Sequence, residues 1–353
     1  MNRQQTFFQT QLLYWHRQVN QRQLPWKQET DAYRIWLSEI ILQQTRAEQG
    51  LPYYLRFITQ YPTIKDLAAA PEEEVFRLWQ GLGYYNRCKN MLATARLVAD
   101  TYGGVFPATY EQIGALKGIG PYTAAAIASF AFGLPHAVVD GNVYRVLSRY
   151  FGIATPIDST EGKKEFTALA DLLLDPGSSA AYNQAIMDFG ATVCTPKQPA
   201  CTECLLQDHC TAYRQDKVAA LPVKAKKLVV RQRYFHYLLL RAGGQVWIRK
   251  RSAKDIWENL HEPYLIEADQ ALDWEDLAKM PVLQHLLRDT ARVEPAGSRK
   301  QRLTHQLIES RFFELQLTHQ PVTLPADGFW VPEADLGKYA FPKTLTLFLE
   351  HAG

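Results

Sequence analysis

The sequence predicts a mainly α N-terminal domain followed by an α+β C-terminal domain. Three observations predict this division. Apolar residues recur at helical spacing from about residue 5 to about residue 215. The stretch LPVKAKKLVVRQR that follows is basic and carries a proline, as a linker does. Beyond it, YFHYLLLRAGGQVWIRKR reads as two strands around a Gly-Gly turn, and SRFFELQLTHQPVTL reads as another strand. The expected boundaries are 1–220 for the helical domain, 221–233 for the linker and 234–353 for the second domain.

Composition narrows the class. With 47% hydrophobic and 21% charged residues, the chain has the make-up of a folded globular protein. A net charge of +3 suits a polyanionic partner without requiring one. The start, MNRQQTFFQTQLLYWHRQ, lacks the apolar core of a signal peptide, and no apolar run is long enough to span a bilayer. The expectation is a cytoplasmic protein with no membrane partner. In that compartment clustered cysteines more often bind metal than form disulfides.

In the helical run YRIWLSEIILQQTRAEQGLPYYLRFI, Glu39 shares a stripe with Ile35 and Leu42. Burial without a charge partner raises a carboxyl pKa, which suits a general acid near neutral pH. The bland reading is a Glu on the solvated edge of the helix. The pattern continues in EEEVFRLWQGLGYYNRCKNMLATARLVAD, where Cys88 reads as a small buried residue.

YEQIGALKGIGPYTAAAIASFAFG reads as helix, tight glycine turn, helix. Gly118 and Gly120 let the backbone approach a ligand closely, and Pro121 suits a first helical turn. The helix N-terminus then offers N–H groups to an anion such as a DNA phosphate. A dinucleotide fingerprint fits poorly, because no strand precedes the turn and the third glycine is missing. Asp140 closes HAVVD and precedes GNVYRVLSRY. It is either an N-cap or a carboxylate held at a cleft. Together Glu39 and Asp140 meet the needs of glycosidic-bond cleavage: one acid for the leaving group and one carboxylate for a positive sugar.

Four of the five cysteines fall within CTPKQPACTECLLQDHC, at Cys194, Cys201, Cys204 and Cys210. Zinc and a [4Fe–4S] cluster both take four cysteines. Only Cys201 and Cys204 form the C-x2-C knuckle usual for zinc.

These residues converge. The helix-hairpin-helix, the Asp after it and the C-x6-C-x2-C-x5-C spacing resemble the endonuclease III superfamily of DNA glycosylases. Within it, PWKQETDAYRIWLSEIILQQT, GLGYYNR, VDGNVYRVLSR and NQAIMDFGATVCTP look like the adenine DNA glycosylases. The resemblance implies a [4Fe–4S] cluster on the four cysteines, with Lys197 facing phosphates. It also implies a monomer acting on double-stranded DNA with adenine opposite 8-oxoguanine or guanine, in a nucleoid-associated setting. Glu39 would protonate adenine at N7. Asp140 would stabilise the oxocarbenium ion, and Tyr122 and Asn142 would support it. Gln44 and Tyr84 would enter the base stack while adenine is extruded. Leu82 and Arg87 of GLGYYNR would join them on DNA, and Gly118 to Gly120 would hold a phosphate.

Bifunctional lyases of the superfamily carry a Lys where this chain has Tyr122, which implies base excision without efficient strand cleavage. Lys27, Gln184 and Tyr144 depart from residues that some relatives carry. The second domain resembles a Nudix hydrolase, yet no glutamate-rich REx2EE-like run occurs from 234 to 353. Its 8-oxoguanine reader would be Leu303-Thr304-His305, where relatives often have Phe-Ser-His. Two rival readings fit the residues less well. A glycosylase-lyase for oxidised pyrimidines is disfavoured by Tyr122 and the long C-terminal domain. A non-enzymatic iron–sulfur DNA-binding protein would have no need of Glu39.

Overall fold

The computed structural model describes residues 1–225, 229–252, 255–321 and 324–349. Residues 226–228 of the expected linker, Lys254 at the head of KDIWENLHEPYLIE, and Val322 and Thr323 of the third expected strand lie outside the described residues. The helices run α1 Arg3–Gln18, α2 Ala32–Leu42, α3 Ala47–Gln60, α4 Ile64–Ala69, α5 Glu72–Trp79, α6 Tyr85–Thr101, α7 Tyr110–Gly114, α8 Pro121–Phe132, α9 Gly141–Phe151, α10 Thr160–Leu173, α11 Ser179–Thr192 and α12 Thr211–Arg214. By packing, Met1–Ala69 and Asn90–Lys227 form one compact unit, and Ala70–Lys89 joins Leu228–Gly353 in a second.

The helical unit is organised around α8. Thr123 through Ser129 are all buried, so this helix is apolar on every side and must lie in a core. Pro121 starts it, and Gly133 ends it in a left-handed cap at φ 65°. Around it, α1 buries Phe8, Leu12 and Trp15 in one cluster with Val146 and Tyr150 of α9 and Ile186 and Phe189 of α11. A Cβ on Gly190 would stand 2.7 Å from the Cβ of Asn142. Glycine there lets α11 approach the start of α9, where Asp140 and Asn142 sit.

Two apolar runs that read as continuous in the sequence are broken in the structure. The first breaks between α2 and α3, where Gln44 has φ 56°. The second breaks between α5 and α6, where Gly81, Gly83 and Tyr84 have φ of 91°, 81° and 50°. Left-handed backbone costs a non-glycine residue energy, so Gln44 and Tyr84 are held by their surroundings.

The second unit is built on a seven-stranded mixed sheet in the order β3-β2-β1-β6-β5, with β4 on β1 and β7 on β2. Its strands are β1 Arg231–Ala242, β2 Gln245–Lys250, β3 His261–Glu262, β4 Tyr264–Ala268, β5 Thr290–Arg302, β6 Gln306–Leu317 and β7 Gly328–Pro332. The Gly-Gly turn is confirmed: Gly243 and Gly244 have φ of 56° and 75° and join β1 to β2. Alternation along β1 puts Leu238, Leu240 and Ala242 in one core and Phe235, Tyr237 and Leu239 in another. The first core takes residues of α13 Trp274–Ala278 and α14 Gln284–Arg288; the second takes those of α15 Lys343–Leu349. The described residues thus form a mainly α unit and an α+β unit, as the sequence predicts.

Candidate active site

A cavity of about 990 Å³ opens within the helical unit. Its wall takes Glu39 from α2, Tyr122 from α8, Asp140 and Asn142 from the start of α9, Gln184 and Met187 from α11, and the segment around Lys27. Four residues assigned to catalysis from the sequence therefore line one space.

Glu39 is only 8% exposed, because α2 packs with α8 and turns the Glu39 face inward. Burial pushes its pKa up to about 7; a hydrogen bond with the Tyr122 hydroxyl pulls down, and the charge of Asp140 pushes up again. Asp140 is also raised by burial, but it is better supported. Its Oδ1 accepts from the backbone N–H groups of Asn142 at 2.9 Å and Val143 at 2.8 Å, and its Oδ2 accepts from Asn142 Nδ2 at 2.7 Å. The Arg145 guanidinium adds attraction. So Asp140 is both an N-cap and a cavity carboxylate. Of two coupled acids with unequal support, the one with a single phenolic donor keeps the proton, and that is Glu39.

Arg145 fixes this constellation from behind. Its guanidinium donates to Asn142 Oδ1 at 2.8 Å and to the carbonyls of Gly190 at 2.6 Å and Cys194 at 2.7 Å. The Tyr122 hydroxyl also reaches Met187 Sδ at 3.7 Å.

The remaining assigned residues separate into groups. Gln44 lines the same cavity. Gly118 is left-handed at φ 78°, and a Cβ there would meet the Asn90 side chain at 2.8 Å; Gly118 and Gly120 are exposed ahead of α8. In the second unit, Tyr84 is 47% exposed, and its hydroxyl shares a hydrogen bond with Thr304 Oγ1. Arg87 stacks on the rings of Trp79 and Tyr84. Thr304 and His305 are exposed at the turn joining β5 to β6. Leu82 is 5% exposed, so its side chain packs in the interior rather than presenting itself to a ligand. Lys27 and Gln184 line the cavity, whereas Tyr144 sets its ring against Phe166.

Sequence reasoning missed Asp188. It is fully buried on α11 and accepts from Asn20 Nδ2 at 2.9 Å, Arg22 Nη1 at 2.8 Å and Lys27 Nζ at 2.6 Å. The available signal was an acid flanked by apolar residues in NQAIMDFG, with two cations in the loop before α2.

Comparison with known proteins decides the family. Residues 37–171 match the HhH-GPD superfamily of base excision DNA repair proteins, and residues 236–351 match the NUDIX domain family. An adenine DNA glycosylase of Buchnera aphidicola subsp. Schizaphis graminum is 34% identical over 253 residues, covering 72% of this chain and 73% of that protein. The chain belongs to the adenine DNA glycosylase family. The adenine DNA glycosylase of Rattus norvegicus is 44% identical over 229 residues, covering 62% of this chain and 44% of that one. Among solved structures, a thermostable thymine-DNA glycosylase aligns with TM-score 0.57 and 32% identity, covering 61% of this chain and 98% of its own. A trapped endonuclease III–DNA covalent intermediate aligns with TM-score 0.53 at 20% identity, covering 61% and 99%, which shows a shared fold. Adenine DNA glycosylase family membership makes this chain a base-excision-repair glycosylase with a helix-hairpin-helix unit and a Nudix-like unit.

The four loop cysteines are the candidate ligands of a metal cluster. Among the described residues, no group of three or more His, Cys, Asp or Glu is gathered as for a bound metal ion. The donor chemistry nonetheless suits an all-sulfur site. Burial raises the Cys201, Cys204 and Cys210 thiols, and Cys204, pushed up to about 12, feels the other three. Backbone N–H groups support the Cys204 and Cys210 sulfurs, and Arg149 Nη1 donates to Cys194 Sγ at 3.4 Å. The donors to Cys194, Cys204 and Cys210 favour thiolates and so suit the all-cysteine ligand set of a [4Fe–4S] cluster, while burial alone favours the neutral thiols.

Proposed function

We propose that this enzyme hydrolyses the N-glycosidic bond of adenine opposite 8-oxoguanine or guanine, without efficient strand cleavage. The observation that carries the reading is the buried pair Glu39 and Asp140 in one cavity, with the Glu39 pKa pushed up to about 7. Extruded adenine would occupy the cavity. As the C1′–N9 bond breaks, its electron pair passes to the base, and protonated Glu39 delivers a proton to N7. Asp140, held anionic by three donors, faces the positive charge left on the sugar. Water then attacks C1′, and Glu39, now a carboxylate, takes its proton. Asn142 and Arg145 orient Asp140, and Tyr122 orients Glu39. No amine occupies the Tyr122 position to form a Schiff base with the sugar.

In the second unit, Thr304 and His305 would read 8-oxoguanine, with Tyr84, bonded to Thr304, entering the stack. Gln44 would enter beside the cavity, and the Gly118–Gly120 turn would hold a phosphate ahead of α8. Cys194, Cys201, Cys204 and Cys210 would hold a [4Fe–4S] cluster, whose service is to fold the loop that presents Lys197. The protein would act as a monomer on double-stranded DNA, through domains at 1–220 and 234–353.

The test is single-turnover excision on a duplex with adenine opposite 8-oxoguanine, guanine or thymine. Excision opposite 8-oxoguanine and guanine, with strand breaks appearing only after alkali, supports the reading. Efficient breakage without alkali refutes the monofunctional assignment. A visible absorption spectrum separates an iron–sulfur cluster from colourless zinc.

A further inference from the structure

We propose that Asp188 is a positioning residue for base excision, acting through the Lys27 ammonium. The inference rests on the reading that the extruded base occupies the cavity of Glu39 and Asp140. Asp188 lies one helical turn after Gln184 on α11, and both Gln184 and Lys27 line that cavity. A carboxylate with no exposed surface is costly to bury, and this one is surrounded by donors from a single segment, residues 20 to 27. Arg22 and Lys27 both pair with it. The contacts tie that segment to α11 and so fix one wall of the cavity.

Asn20, Arg22 and Lys27 of the network all line the cavity, and the Lys27 ammonium is the donor assigned to the ligand. An ammonium has three N–H groups. One donates to Asp188 Oδ2 at 2.6 Å and one to the Arg22 carbonyl. Among the described residues the third has no protein partner, and the side chain keeps 10% of its surface exposed where it lines the cavity. An N–H group so placed serves whatever fills the space. As the C1′–N9 bond breaks, negative charge collects on the ring nitrogens of the base. Glu39 supplies the proton to N7, which leaves N1 or N3 as the acceptor for Lys27. The ammonium donates a hydrogen bond there and transfers no proton. Asp188 holds it in place, since a flexible four-carbon stem would otherwise leave the cavity wall.

The test uses the full-length protein in single-turnover excision of adenine opposite 8-oxoguanine. Variants are Lys27→Met, Lys27→Arg, Asp188→Asn and the double variant Lys27→Met with Asp188→Asn. Each loss variant should slow excision by roughly tenfold or more, the worth of a charged hydrogen bond. The double variant should be no slower than the worse single one, and Lys27→Arg should recover most of the rate. Losses that multiply in the double variant would overturn the proposal. So would a fall in thermal stability with the rate per folded molecule unchanged.

Should Asp188→Asn fail to fold, 1-deazaadenine and 3-deazaadenine substrates decide. Wild type should lose rate on one of them, and Lys27→Met should be indifferent to that same deletion. Equal sensitivity in wild type and Lys27→Met sinks the proposal while the excision reading stands. Absence of any wild-type excision sinks that reading and this inference together.

Discussion

Both units bury carboxylates, and Glu39 of the helical unit and Glu262 of the second are treated oppositely, although Asp188 of the helical unit is paired with cations as Glu262 is. In the second unit Glu262 is 1% exposed and is bracketed by two guanidiniums: Arg249 Nη2 at 3.0 Å and a short contact to Arg251. Nearby, Arg233 grips both Asp255 at 2.7 Å and Glu267 at 2.6 Å, and its charge holds Asp255 low against the cost of burial. Among the described residues no cation acts on the Glu39 pKa in the helical unit, and a phenol is the one group pulling it down. A buried acid matched by cations, like Glu262 or Asp188, ties together the segments that carry the pair. One left with a phenol sits at the edge of titration, where proton transfer is possible. In the Nudix-like unit Glu262, Asp255 and Glu267 are taken up by arginines.

The largest test of this contrast is Glu39→Gln. The amide can still accept from Tyr122 but cannot give up a proton, so excision should fall by about 10² to 10⁴-fold with duplex binding retained. Its stability should move the other way. Glu39 has a folded pKa of about 7 against an ordinary 4.5. Stability from its bound proton is present below the ordinary value and is lost as pH rises through about 7. The variant should therefore melt no lower than wild type at pH 8, and a clearly lower melting temperature there would contradict the burial argument. Glu262→Gln is the mirror experiment. Removing that charge leaves Arg249 and Arg251 facing each other, with an expected cost of about 3–5 kcal/mol in denaturant unfolding. Excision per folded molecule should be unaltered.

A pH series follows from the same pair. If protonated Glu39 is the acid, single-turnover excision should fall as pH rises above about 7, by about tenfold per unit once the carboxylate dominates. In Glu39→Gln that alkaline limb should disappear. A limb that persists in the variant would assign the titration to another group.

Legibility in the sequence follows the same divide. The helical unit, the Gly-Gly hairpin, the glycine turn before α8 and the pair Glu39 and Asp140 were readable because each is local: a period, a dipeptide or an acid in an apolar run. The breaks after α2 and α5 were not, since apolar spacing continues across Gln44 and Tyr84 while the backbone turns left-handed. The inclusion of Ala70–Lys89 in the second unit left no compositional mark. Asp188 escaped because its meaning depends on donors more than 160 residues away in sequence. Likewise, nothing in LTH or GLGYYNR says that Thr304 and Tyr84 share a hydrogen bond.

That bond supplies the smallest test. Trp79 Nε1 and Arg87 Nη2 both donate to the Gly83 carbonyl, at 3.0 Å and 3.3 Å, and this pins the peptide ahead of Tyr84. The strained Tyr84 is thereby held with its hydroxyl on Thr304, at the turn proposed to read 8-oxoguanine. Thr304→Val keeps the shape of the turn and deletes its hydroxyl, so the hydrogen bond with Tyr84 is lost together with the one proposed to the lesion. Preference for 8-oxoguanine over guanine should drop by roughly fivefold, about 1 kcal/mol. The excision rate at saturating enzyme should hold, because the chemistry belongs to the other unit. An unchanged preference would move lesion reading away from Thr304, and a slowed chemical step would show that the two units do not divide the work as their buried acids suggest.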